Sequence, residues 1–94
     1  MTLDPNAKIR PRDNVFAREF DGEIVLLDLS GGAYYGLDAL ASRVWREMCD
    51  GKSLRQVVSD VLPDYHVEEA TLMKDVLALA TEWVEKNLVQ QVTP

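Results

Sequence analysis

The chain has 94 residues, 47% of them hydrophobic and 28% charged, with 10 basic and 16 acidic side chains and a net charge of −6. Those proportions fit one small globular domain, and the charge argues against a nucleic-acid binder, whose affinity comes mainly from neutralising phosphates. One cysteine, Cys49, cannot close an internal disulfide, and with the single histidine, His66, it falls short of the three or four ligands of a zinc site. No apolar run approaches the roughly 20 residues of a membrane span. Residues 1–12 lack the apolar stretch of a signal peptide, so a cytoplasmic location is expected.

Residues 1–12 are polar, hold Pro5 and Pro11, and carry Lys8, Arg10 and Arg12. They are expected to form a mobile arm ahead of a domain over 13–90, with 91–94 as a short tail. Residues 14–20 alternate, with Phe16, Arg18 and Phe20 on one face of a strand. Asp21-Gly22 is a two-residue hairpin signal. Residues 23–29 read as a second strand. The run Ile24, Val25, Leu26, Leu27 and Leu29 is nearly continuous, which suits a central strand covered on most of both faces. Ser30-Gly31-Gly32 is a second turn, and 33–37 is a short third strand, aromatic at Tyr34 and Tyr35. The three strands make an antiparallel meander whose outer members are edges.

At Asp38, a good N-cap, the period changes from 2 to 3.6. Leu40, Val44, Trp45 and Met48 share one helical face, which makes Trp45 core, and Gly51 stops the helix. Ser53 and Gln56 form a capping box. The helix they open carries Leu54, Val57, Val58, Val61 and Leu62 and closes at Pro63. A third helix is predicted over 68–86, with Glu68 and Glu69 in its first turn and Lys86 in its last, both favourable to the helix dipole. Asn87 falls at a left-handed cap position, and Leu88 and Val89 pack back onto the body. The third helix has two apolar stripes, one of Met73, Leu77, Ala80 and Val84, the other of Leu72, Val76, Leu79 and Trp83. A face this wide either lies between two layers or leaves a groove for a partner, and the bulk of Trp83 favours the groove.

Catalytic chemistry is hard to find. Ser30-Gly31-Gly32 lacks the Lys and helix of a phosphate loop. Asp60, Asp64, Glu68 and Glu69 miss the spacing of a calcium loop, and nothing apolar beside them would raise a pKa. Cys49, next to Asp50 and near Glu47, is a poor nucleophile. His66, alone in a polar connector, reads as a surface residue. A binding module remains, α+β, with a three-stranded antiparallel N-terminal sheet followed by three helices in a winged helix-turn-helix-like arrangement. Such a body either reads nucleic acid through a helix or captures a peptide at an open sheet edge. A subunit of a larger synthetase complex is a third reading. The second helix offers a nucleic acid only Arg55, against Asp60.

The succession Val25-Leu26-Leu27-Asp28, Gly32-Ala33-Tyr34-Tyr35-Gly36-Leu37-Asp38, Val44-Trp45, Asp50-Gly51-Lys52-Ser53, Asp75-Val76-Leu77-Ala78-Leu79, Trp83 and Leu88-Val89 resembles the PqqD-like family. These are RiPP recognition elements, the peptide chaperones of ribosomally made, post-translationally modified peptides. The resemblance runs from Val15 to Val89. It implies a non-catalytic protein without cofactor or metal. Such a protein binds the leader of a precursor peptide as an added strand and presents it to a modifying enzyme, such as a radical-SAM enzyme, a protease or a cyclase. By position, it implies a peptide site at Ala33, Tyr34, Tyr35, Gly36 and Leu37 on the third strand. On the third helix it implies Leu72, Asp75, Val76, Leu79 and Trp83. Asp75 would contact either the peptide or the protein's own backbone. Asp28-Leu29-Ser30 departs from the Pro-Glu pair of the pyrroloquinoline quinone branch. Tyr34-Tyr35 and Trp45 are more like the elements of lasso-peptide and other peptide-modifying clusters, while Met48-Cys49-Asp50-Gly51 resembles the quinone branch. Asn87 stands where Gly is usual. The pathway is left open by these residues.

Overall fold

The computed structural model describes residues 3–92. The strands are β1 (Ile9–Pro11), β2 (Val15–Phe20), β3 (Glu23–Asp28), β4 (Ala33–Gly36) and β5 (Val89–Gln91), and the helices are α1 (Ala39–Cys49), α2 (Leu54–Val61) and α3 (Glu69–Glu85). A 3-10 turn, Leu62–Asp64, holds Pro63 and follows α2. The meander is present as an antiparallel sheet in the order β2-β3-β4. Asp21 and Gly22 both take positive φ, 51° and 83°, the type I′ geometry that lets a two-residue loop follow the strand twist.

The caps fall where their chemistry requires. The Asp38 carboxylate accepts from the Ala41 N–H at 2.8 Å and opens α1. Gly51, at φ 83°, turns the chain out of that helix. Ser53 and Gln56 complete a reciprocal capping box at α2. Glu68 precedes α3 without a side-chain cap, and Asn87, at φ 59°, ends it in the left-handed region.

β3 is covered on one face rather than both. Ile24, Leu26 and Asp28 are buried, whereas Val25 and Leu27 are half-buried and Leu29 just beyond is exposed. The helices supply apolar cover to the inner side alone. Phe16, Phe20 and Tyr34 stand on the other face and stay exposed. The buried Ser42 ties sheet to helix: its hydroxyl accepts from the Ile24 N–H at 2.9 Å and donates to the Leu37 carbonyl at 3.1 Å.

The expected arm, residues 1–12, is corrected over its described part. Leu3, Ala7 and Ile9 are buried, and β1 pairs antiparallel with β5 through Ile9↔Gln91, Arg10↔Gln90 and Pro11↔Val89. The segment also completes α2, whose first amide groups lack partners within the helix. Leu54 N–H donates to Ala7 O at 3.0 Å and Arg55 N–H to Pro5 O at 2.7 Å. Gln91 belongs to β5 rather than to a tail, and Val92 N–H donates to Lys8 O at 2.8 Å. Residues 1–2 and 93–94 of the expected arm and tail lie outside the described residues.

Candidate functional site

β4 follows the turn at residues 29–32 and is an outer strand of the sheet, and past Leu37 and Asp38 the chain enters α1. Leu37 N–H donates to Ile24 O at 2.8 Å, so in this register Ala33, Tyr35 and Leu37 turn their backbone groups toward β3. Tyr34 and Gly36 turn theirs the other way, onto the open edge. The edge therefore offers two residues' worth of N–H and C=O groups to an incoming strand.

Beside that edge lies a cavity of about 350 Å³. One wall is residues 34–37 with Asp38 and Ala41; the other is Leu79, Glu82 and Trp83 of the C-terminal half of α3 with its C-cap Lys86, and Leu88 beyond it. Lys86 organises the rim. Its ammonium sits 4.9 Å from the Tyr35 ring centroid and 2.6 Å from the Glu82 carboxylate. The hydrogen bond to Glu82 holds the Lys86 pKa above its ordinary value, so the rim carries an exposed ion pair. Tyr34, 72% exposed, stands on the outer face of the sheet at the same edge.

The ten residues expected at the site do not all gather there. Tyr34, Tyr35, Gly36, Leu37, Leu79 and Trp83 line the cavity. Ala33 begins the same strand. Leu72 and Val76 are sealed in the core, because α3 turns that part of its face against the rest of the body. Trp83 is also buried, and packs against Trp45. Its bulk is thus shared between core and cavity wall rather than given over to the groove. Asp75 is exposed and outside the cavity lining; helical spacing puts it on the stripe of Leu79, Glu82 and Lys86, one turn before Leu79. Glu82 and Lys86 join the lining beyond the ten expected residues. Their signal was present in the sequence as a polar i, i+4 pair continuing the Leu79 stripe. Leu88 arrives from the β5 return, which no local pattern announces.

A larger depression of about 600 Å³ runs along the opposite side of α3, past Ala70, Met73, Leu77 and Ala78. It is bounded by one helix and offers no unpaired backbone, so it cannot accept a strand. The remaining polar clusters are structural. Lys52 bridges Glu47 and Asp60 at 2.7 Å each, and Arg43 holds Asp64 at 2.6 Å. Loss of hydration and the Asp50 carboxylate push the Cys49 thiol up, away from nucleophilic use. Among the described residues no group of three His, Cys, Asp or Glu is placed to hold a metal. No described helix is long and apolar enough to cross a membrane.

Known proteins share this arrangement. The sequence pattern of the family described as coenzyme PQQ synthesis protein D (PqqD) matches residues 23–89. Among curated proteins no sequence matches. The fold is similar to that of TbiB1 in complex with the TbiA(beta) leader peptide, at 30% identity and a TM-score of 0.83, covering 90% of this chain and 99% of that one. It is also similar to lasso peptide synthetase B1 complexed with the leader peptide, at 28% identity and a TM-score of 0.83, covering 88% and 98%.

Proposed function

The chain belongs to the PqqD family, and on that premise we propose that it is a non-catalytic chaperone for the leader of a ribosomally made precursor peptide. The observation that carries this reading is the open β4 edge running beside the cavity under α3. A leader segment adds as a strand antiparallel to β4 and pairs with the backbone of Tyr34 and Gly36. It sets an apolar side chain against Leu79 and Trp83. Backbone pairing supplies sequence-tolerant affinity and the cavity supplies selection. The two similar structures, each solved with a leader peptide, support the same occupant.

A chaperone that hands on its cargo needs a face left free when the groove is full. The outer face of the sheet fits: Phe16, Phe20, Leu29 and Tyr34 are all more than half exposed on it. The modifying enzyme docks there, whether it is a radical-SAM enzyme, a protease or a cyclase.

Amide-shift mapping with a cognate leader peptide tests the groove. Shifts are expected at residues 33–37 and at Leu79, Trp83 and Lys86. Shifts confined to α1 and α2, or binding to duplex DNA with a steep salt dependence, would overturn the reading in favour of a nucleic-acid reader.

A further inference from the structure

We propose that the outer face of the β1–β5 ribbon is a second binding surface, for an acidic peptide segment held by Lys8, Arg10 and Arg12. The bonds from Val92 N–H to Lys8 O and from Arg12 N–H to Leu88 O carry the β1–β5 pairing one residue past each end of β1, and alternate residues along such a pairing lie about 6.6–6.8 Å apart, so Lys8, Arg10 and Arg12 follow one another in a row. The ribbon is fixed in place, since Ile9 and Val89 bury the opposite face in the core. The row is thus carried by an ordered element.

Among the described residues the row holds no carboxylate. Arg43, Arg46, Lys52 and Lys86 each hold a carboxylate of their own chain. Lys8, Arg10 and Arg12 hold none among the described residues; Arg18, Arg55 and Lys74 also hold none, but only Lys8, Arg10 and Arg12 follow one another at alternate positions. Arg12 is half-buried, and its Nε is enclosed with no hydrogen-bond partner. The enclosed Nε is out of reach from outside, so an incoming carboxylate meets Arg12 at its terminal nitrogens, which hold no bond of their own chain among the described residues.

The size and setting of the row favour a peptide over a nucleic acid. An extended chain with an acidic residue at every second position repeats at the spacing of the row. A nucleic acid would extend its phosphates beyond three cations onto a surface of net negative charge, −6 over the whole chain. At physiological salt, screening over about 8 Å leaves the local row to act on a short segment. The surface also adjoins the groove. Arg12 N–H donates to Leu88 O at 3.0 Å, and Leu88 lines the cavity beside β4. This last argument rests on the peptide reading of the groove; the others do not.

Hexaglutamate, titrated into isotope-labelled protein at low and high salt, tests the proposal. Shifts are expected at residues 8–12 and 88–92, and they weaken at high salt. The Lys8→Gln, Arg10→Gln double variant should lower the affinity about fivefold at unchanged melting temperature. Tyr34→Pro, which blocks the groove edge, should leave hexaglutamate binding unaltered, so the two sites fail or stand separately. Absence of shifts at millimolar peptide, or shifts centred on Arg18, Arg55 or Lys74, overturns the proposal. So does an oligothymidylate that binds the row more tightly than hexaglutamate.

Discussion

The indole of Trp83 meets that of Trp45 edge to face, with ring centroids 5.2 Å apart and planes at 82°. This geometry suits the aromatic quadrupole, and it joins α1 to α3 directly under the cavity. The wall of the candidate groove is therefore backed by the core, and its shape depends on the packing of both rings.

Trp45→Ala should destabilise the protein by about 3–5 kcal/mol, as buried aromatic truncations do. Trp83→Ala should cost a similar amount, which distinguishes a core-and-wall residue from one that only touches peptide. In a double-mutant cycle by chemical denaturation the pair should couple by about 0.5–1.5 kcal/mol. Additive effects would mean that the edge-to-face contact contributes nothing.

Proline substitution along β4 should split by parity. Tyr34→Pro removes an N–H that faces the open edge, so the protein should fold and bind leader peptide weakly. Tyr35→Pro removes an N–H directed at β3 and should lower the melting temperature. Calorimetry of binding and thermal unfolding on both variants reads the difference. Equal losses of affinity at equal stability would show that the register of the edge is misassigned.

Leu79 and Val76 lie one turn apart or less on α3 but should respond differently to charge. Leu79→Asp places an acid in the half-buried cavity wall, so leader affinity should fall with the fold retained. Val76→Asp buries an unpaired carboxylate at a position with no exposure and should unfold the domain. Circular dichroism and peptide titration separate the two. A folded Val76→Asp protein that merely fails to bind would return Val76 to the groove.

The second turn should loosen in acid. The Ser30 hydroxyl, Asn14 amide and Ser30 N–H all donate to Asp28 Oδ1, at 2.7, 2.9 and 3.0 Å. The Ser30 side chain first, and Asn14 next, hold the Asp28 pKa below its ordinary value of 3.8. A carboxyl lowered on folding stabilises fully above that ordinary value, and the contribution disappears as pH falls through the lowered native one. The Ser30 and Gly32 amides, followed by NMR into acid, should report a midpoint below 3.8. Ser30→Ala should move that midpoint up, and an unmoved one would assign the shift to another group.

Much of this protein was determined locally. Asp21-Gly22 requires positive φ at two successive residues, and Asp38, Ser53 with Gln56, Gly51 and Asn87 each solve a helix end with their own chemistry; such choices need only near neighbours. The β4 strand and the Leu79–Trp83 part of α3 were legible for the same reason, as an aromatic edge and an over-wide apolar face. What the tertiary structure decided depends on contacts distant in sequence. Ile9 meets Gln91 across some eighty residues, so nothing in the polar run of 1–12 announces a strand. The apolar continuity of residues 23–29 cannot reveal that helices cover only one side of it. Leu72, Val76, Leu79 and Trp83 look alike as a stripe, and only the placement of α3 seals the first two in the core, backs Trp83 with Trp45, and leaves Leu79 half-exposed beside the open edge of β4.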